Sequence, residues 1–140
     1  MSIRAQNLDG VGAIYTTFDI YQDGGTDQLT DGDIGKVVTM TANYECGFGS
    51  NGQPLLGKLV AISPVDGDDG EKKATVQVSG IMTLPITSTY PTGGNQVVIN
   101  GSGSVRQAPA LAANDPAGGN VGRGTVIAVN GTTNCTLILN

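Results

Sequence analysis

The sequence predicts an all-β protein, a small antiparallel β-barrel or β-sandwich with an extended N-terminal arm and at most one short helical turn. Gly supplies 22 of the 140 residues, and it separates short runs rich in Val, Ile and Thr, as in proteins built from strands and turns. The dipeptides Asn100-Gly101 and Asn130-Gly131 stand between such runs, and they tolerate the positive φ that tight hairpins require. A chain of this length has the usual size of one domain.

Six runs predict the strands of this domain, and they cover residues 36–41, 55–62, 74–84, 96–100, 125–129 and 135–139. In the run 74–84 apolar and polar residues alternate, and Gly80 permits a bend or a bulge. We therefore expect one bent strand or two successive strands there. The same alternation predicts core positions at Val76, Val78, Val126, Leu137 and Leu139.

The one predicted helical element is a single turn at Thr30-Asp31-Gly32-Asp33. Thr30 and Asp33 have the spacing of a capping box, in which each residue satisfies a backbone N–H of the other. Gly32 inside the turn and Gly35 after it disfavour a longer helix.

Residues 1–28 form the predicted arm, because their apolar residues are irregularly spaced and Asp23-Gly24-Gly25 interrupts them. The β-domain is then residues 29–140. Five large apolar or aromatic side chains of the arm lie within eight positions: Ile14, Tyr15, Phe18, Ile20 and Tyr21. We expect a neighbouring copy or another protein surface to cover them, since so much apolar surface is unfavourable in water. The alternative is that this segment supplies one more strand to its own domain.

Composition excludes several functional classes. The chain has no His, which excludes Ser-His-Asp and Cys-His catalysis and removes the commonest metal ligand. Cys46 and Cys135 form no C-x-x-C motif and are expected to be buried free thiols. The net charge of −5 disfavours nucleic acid and anionic membranes as partners. We therefore expect a protein that is not an enzyme and has no cofactor and no metal site.

No stretch approaches the ~20 apolar residues of a membrane span, and the first nine residues lack the apolar core of a signal peptide. We therefore expect synthesis in a cytosol. Arg106 and Arg123 follow loop sequences and are candidate partner contacts, although an exposed solubilising Arg is the simpler interpretation.

The stretch Asp66-Gly67-Asp68-Asp69-Gly70-Glu71 concentrates carboxylates and invites comparison with an EF-hand calcium loop. Asp68 fits the third position, but Gly70 stands where the fifth ligand is needed, and Gln77 stands where the bidentate Glu belongs. We expect a solvated polar loop between two strands, with calcium binding no tighter than about millimolar.

Four segments follow one another in a characteristic order: "LTDGDIGKVVTM", "PLLGKLVAISPVDGDDGEKKATVQVSGIMTLPI", "NQVVINGSGSVRQAP" and "GRGTVIAVNGTTNCTLIL". Together, over residues 29–139, they resemble the small capsid cement, or head decoration, proteins of tailed bacteriophages. The resemblance implies a compact β-barrel or β-sandwich that binds the outer surface of the capsid, contacts the major capsid protein and commonly forms homotrimers. It also implies a location on the virion after synthesis in the host cytoplasm. Residues 1–28 lie outside the match.

A second interpretation is a calcium-assisted adhesive or carbohydrate-binding β-domain that uses its Asp-rich loops. Such domains depend on aromatic stacking platforms, and this chain has no Trp. The absence of a recognisable signal peptide also favours the cement protein.

Overall fold

The computed structural model describes residues 8–64, 70–110 and 122–140. These ranges contain strands and one 3-10 turn, so the predicted all-β class is confirmed. In chain order the elements are β1 (Ile14–Ile20), β2 (Gln22–Asp23), β3 (Thr26–Asp27), the 3-10 turn η1 (Asp31–Asp33), β4 (Val37–Ala42), β5 (Glu45–Gly47), β6 (Gly57–Ile62), β7 (Lys73–Pro85), β8 (Val97–Ile99), β9 (Val105–Gln107), β10 (Thr125–Asn130) and β11 (Asn134–Leu139).

Five strands close into a barrel in the order β1-β5-β4-β6-β7, because β1 pairs with β5 on one side and with β7 on the other. The β1–β5 pair is parallel, and the other barrel pairs are antiparallel. Further pairings extend the sheet from β7 to β11 and then to β10. The strands β2 and β3, and likewise β8 and β9, form separate two-stranded sheets.

The assignment of residues 1–28 to an arm outside the β-domain needs correction at Ile14–Ile20. This segment is extended, but it is strand β1, and it pairs with β7 from Ile14 opposite Ser79 to Asp19 opposite Lys73. The sequence left open the alternative that this segment supplies one more strand to its own domain, and the structure agrees with that alternative. The physical reason is hydrogen bonding of the backbone. The N–H and C=O groups along one edge of β5 and one edge of β7 need partners, and β1 supplies partners to both edges.

Strand β7 is one continuous strand of 13 residues that takes part in both halves of the molecule. Its first half pairs with β1 and β6, and its second half pairs with β11. Gly80 lies between the two halves with φ at +99°, a conformation that favours glycine. Of the two possibilities for this run, the single bent strand is therefore the one present.

The predicted strands and hairpins are confirmed. Each of the six predicted runs contains or overlaps a strand, from β4 to β11, whereas β1, β2, β3, β5 and β9 were not predicted. Gly101 and Gly131 have φ of +88° and +56° in the β8–β9 and β10–β11 turns. In the first turn the Asn100 side-chain oxygen accepts hydrogen bonds from the backbone N–H groups of Ser102 and Ser104.

Two clusters of buried apolar residues lie on either side of β4. The barrel core consists of Ile20, Leu29, Val38, Cys46, Leu59, Ala74 and Val76. The second core consists of Val37, Leu55, Met82, Leu84, Ile86, Val97, Ile99, Val105, Val126, Cys135, Leu137 and Leu139. Val37 and Val38 are neighbours on β4 and enter different cores, as side chains of a strand alternate between its two faces.

Four of the five predicted core residues are buried, namely Val76, Val126, Leu137 and Leu139. Val78 is only partly buried and packs against the barrel core. Gln77 departs from the simple alternation, since it is buried although it belongs to the polar face of the run. Its amide nitrogen donates to the carbonyls of Ser79 and Ile81, which satisfies this buried polar group.

The predicted capping box is present in η1. The Asp33 carboxylate accepts hydrogen bonds from the backbone N–H of Thr30 at 3.0 Å and from its hydroxyl at 3.2 Å. The same carboxylate forms an ion pair with Lys36 at 2.9 Å. Burial acts to raise the pKa of Asp33, but the bonds from Lys36 and Thr30 outweigh it, so the pKa is lowered.

Candidate interaction surfaces

The five side chains of the predicted contact segment do not form one surface. Ile20 is buried and Phe18 partly buried, and both belong to the barrel core. Ile14 and Tyr15 remain 59% and 53% exposed on β1. The register with β7 shifts between these two residues, and the whole first part of the strand, from Ile14 to Thr17, is exposed. Tyr21, just after β1, is 36% exposed.

The residues before β1 are bonded to the second half of β7. Gly10 donates to the Ile81 carbonyl at 2.7 Å, and Ile81 donates to the Val11 carbonyl at 2.9 Å. The Asp9 carboxylate accepts from the Thr83 N–H at 3.1 Å and pairs with Lys58 at 3.3 Å. These contacts hold the entry to β1 against the sheet, while the Val11 side chain stays 54% exposed.

The two candidate arginines bind other parts of the same chain. Arg106 donates through Nε to the Asn51 side chain at 2.8 Å. Arg123 donates to the carbonyl of Leu55 and, at 3.3 Å, to that of Asn140. The backbone of Arg123 also exchanges two hydrogen bonds with Val97. Arg123 therefore connects the C-terminal residues to the segment before β6, and both guanidinium groups have internal roles beside any contact with a partner.

The core of the acidic stretch, with Asp66, Asp68 and Asp69, lies outside the described residues. The stretch connects β6 to β7, as expected. Glu71, after it, is exposed and lies 3.7 Å from the ammonium group of Lys73, which also pairs with Asp19 at 2.6 Å. Within residues 8–64, 70–110 and 122–140, no group of three or more Cys, Asp or Glu side chains is placed to hold a metal ion.

Two open depressions lie on the barrel half, the part of the molecule formed by β1 to β6, η1 and the first half of β7. One, of about 350 Å³, is lined by polar groups beside an aromatic ring and a thioether: Tyr21, Asp23, Gln28, Met40, Thr41, Gly49, Ser50 and Gln53. The side-chain oxygens of Gln28 and Gln53 accept hydrogen bonds from the backbone N–H groups of Phe48 and Ser50.

The other depression, of about 310 Å³, is lined by the acidic residues Asp19, Asp27, Glu45 and Glu71, together with Lys72. Such a lining attracts cationic groups of a partner.

The two thiols are placed where they take no part in surface chemistry. Cys46 and Cys135 are buried free thiols, as predicted, and they lie in different cores. Burial raises the pKa of Cys46 to about 12, with smaller contributions from Glu45 and Asp19. Burial alone raises the pKa of Cys135 to about 11. Since the thiolate is the reactive form, both groups are inert at neutral pH.

Sequence reasoning missed an uncharged surface on the outer side of the second half of β7, β11 and β10. We call it the neutral face, and it consists of Ile81, Thr83, Thr125, Ile127, Thr136 and Ile138. The register places Ile138 opposite both Ile81 and Thr125. The signal was present in the sequence, because residues 74–105 and 124–140 contain no Asp, Glu, Lys or Arg.

Tyr44 is another exposed group that sequence reasoning missed. It is 80% exposed at the turn between β4 and β5, with φ at +58°, an uncommon conformation for a residue with a bulky side chain. Its carbonyl accepts a hydrogen bond from the Asp19 N–H at 2.7 Å. This contact with β1 holds the turn in place.

Comparison with protein-family models, with curated proteins and with solved structures gives no match for this chain. In the described part of the chain no helix is long and apolar enough to cross a membrane.

Proposed function

We propose that this chain is a structural protein that binds the outer surface of a phage capsid and stabilises it by bridging capsomers. The four segments that resemble cement proteins support the proposal, since each contributes strands to one compact domain: β4, then β6 and β7, then β8 and β9, then β10 and β11. The partner would be the major capsid protein, and the location would be the surface of the virion.

The observation that carries the proposal is a pair of exposed apolar side chains on a rigid strand. Ile14 and Tyr15 are more than half exposed, although the backbone of β1 is fixed by pairing with β7. Because the strand is already ordered, a partner that covers these side chains gains apolar contact without a large ordering cost. A Tyr in such a position is a common contributor to binding energy.

Binding of this kind does not need catalytic groups. Its total effect on the shell grows with the number of bound copies. Many copies on one shell each bridge neighbouring capsomers, so a modest affinity per copy stabilises the whole particle. The carboxylates around the 310 Å³ depression would add attraction to a basic region of the capsid surface.

The test uses empty shells assembled from the major capsid proteins of tailed phages. Cosedimentation at increasing protein concentration measures binding, and light scattering during heating measures shell disruption. We expect saturable binding and a higher disruption temperature. The variant Ile14→Ser/Tyr15→Ser should bind at least about tenfold more weakly, because truncation of a hot-spot residue, a class in which Tyr is enriched, costs about 2 kcal/mol or more.

The matched control is Thr16→Ala/Thr17→Ala, which changes exposed residues of the same strand. It should bind shells as the wild type does. Failure of the wild-type protein to bind any shell form would refute the capsid role, and equal losses in both variants would remove Ile14 and Tyr15 from the interface.

The calcium-assisted carbohydrate-binding domain stays as a second candidate because of the 350 Å³ depression. It combines the Tyr21 ring with the amides of Gln28 and Gln53 and the carboxylate of Asp23, groups that suit a sugar's apolar face and hydroxyls. A glycan screen with and without calcium tests this candidate. Binding that is lost in Tyr21→Ala would favour it over the capsid role.

A further inference from the structure

The charged groups of this protein are divided unequally between its two halves. All eight carboxylates in the described ranges lie at or before Glu71, in residues 8–64 and 70–73: Asp9, Asp19, Asp23, Asp27, Asp31, Asp33, Glu45 and Glu71. The four lysines Lys36, Lys58, Lys72 and Lys73 lie in the same ranges, and only Arg106 and Arg123 follow in 74–110 and 122–140. Residues 8–64 and 70–73, which form most of the barrel half, are therefore acidic, whereas residues 74–110 and 122–140, which supply most of the second core, contain no Asp or Glu.

The guanidinium groups of the two arginines are bonded to residues outside the neutral face. They bond to Asn51, Gln107, Leu55 and Asn140, none of which belongs to the face. A charged pair lies at the border of the face, where Asp9 accepts from the Thr83 N–H and pairs with Lys58. The opposite charges of this pair offset each other.

The neutral face is also partly apolar and ordered. Its inward-pointing neighbours Met82, Leu137 and Leu139 are fully buried, which holds the strands in place. On the outer side Ile127 and Ile138 are 42% and 41% exposed. Between the isoleucines, the hydroxyls of Thr83 and Thr136 lie 3.2 Å apart in a hydrogen bond, so they are already partnered before any contact forms.

We infer that the neutral face is the surface through which two copies of this chain associate. Each copy carries a net charge of −5, so contact through the barrel halves brings like charges together, whereas contact through the neutral faces keeps them apart. A surface without charge meets no like-charge repulsion from its own copy, so two such faces can pack against each other about a two-fold axis. A basic partner, by contrast, is attracted to the acidic half, which leaves the neutral face for self-association.

This inference does not rest on the proposed role at capsids, because it concerns the free protein. Sedimentation equilibrium of the full chain over a concentration series measures it directly. We expect reversible association at physiological salt, and equal or tighter association at high salt, where the repulsion between the acidic halves is screened.

The variant Ile138→Lys places a charge in the centre of the face and should raise the dissociation constant at least about tenfold, since an unpaired charge is costly to bury. Ile127→Lys tests the same face from β10, in case the first variant perturbs folding. The matched control is Met40→Lys, because Met40 is 40% exposed on β4 of the barrel half, almost as Ile138 is.

A protein that stays monomeric at every concentration and salt would overturn the inference. So would association that Ile138→Lys and Ile127→Lys leave unchanged, or that Met40→Lys weakens equally. Loss of association in the two face variants alone, with melting transitions like that of the wild type, supports it.

Discussion

The barrel half and the half around the second core bury apolar side chains in the same way but present different surfaces to solvent. Leu59 in the barrel core and Leu137 in the second core are both fully buried. Outside the cores, the described carboxylates belong to the barrel half, and the other half presents Thr, Asn and Ile. Different residues therefore determine stability and surface chemistry. The apolar residues of the alternating runs build both cores, and the residues between them determine the charge of each surface.

Strands β7 and β4 contribute residues to both cores. We therefore expect the two halves to unfold together in one cooperative transition. Strand β7 contributes Ala74 and Val76 to the barrel core, and Met82 and Leu84 to the second core. A disturbance in either half is transmitted along these strands. The following variants test this, from the largest expected effect to the smallest.

Deletion of residues 1–22 should have the largest effect. It removes β1, which leaves β5 and β7 without their partner and removes Phe18 and Ile20 from the barrel core. We expect loss of the cooperative thermal transition in circular dichroism. A truncated protein that keeps one cooperative melt would show that the barrel does not need β1. A residual transition at lower amplitude would show that the second core folds by itself.

Truncation of one buried leucine in each half compares the two cores directly. Leu59→Ala and Leu137→Ala should each lower the free energy of unfolding by about 2–5 kcal/mol, from lost burial and the cavity left behind. Urea denaturation measures both, with Ile138→Ala as the partly exposed control. If the halves are one unit, each variant shifts a single transition. Two separable transitions, with each variant shifting only one, would contradict this.

Gly80→Ala should strain the bend at which the two halves meet. A Cβ there would lie 2.7 Å from backbone atoms of Val11 and Gly12, and φ is +99°. We expect a loss of about 1–3 kcal/mol from the left-handed conformation, with a further loss because the entry to β1 must move. Gly131→Ala is the control, since φ is +56° there but no atom lies within 4 Å. Equal effects of the two variants would show that the contact at Gly80 is unimportant.

Asp33→Asn, in the turn η1, should have the smallest effect. Weakening of the bond to the Thr30 N–H and loss of the ion pair with Lys36 should cost about 0.2–1 kcal/mol near neutral pH. Because folding lowers the pKa of Asp33, its stabilisation is present above the ordinary value of 3.8 and is lost as the pH falls below it. The difference from the wild type should therefore shrink in acid. Asp31→Asn, in the same turn, is the control, and an equal cost there would contradict the role of the cap.

Much of the fold could be predicted from local patterns, whereas the interaction surfaces could not. The runs that became β4, β6, β7, β10 and β11 were recognisable by alternation, and the two Asn-Gly turns by their tolerance of positive φ. The candidate contacts Ile14 and Tyr15 are exposed, but Phe18 and Ile20 from the same cluster are used in the core. Apolar composition alone does not show which side of a strand faces inward when the register is unknown.

By itself, the sequence determined the all-β class, the two hairpins and the capped turn at Thr30, because each depends on residues within a few positions of one another. It also determined the absence of charge in residues 74–105. Only the tertiary structure decided that β1 closes the barrel between β5 and β7, that Gln77 is buried, and that the uncharged residues share one outer face. These outcomes depend on strand pairing over long separations, such as Ile14 with Ser79, which local propensity and alternation do not specify.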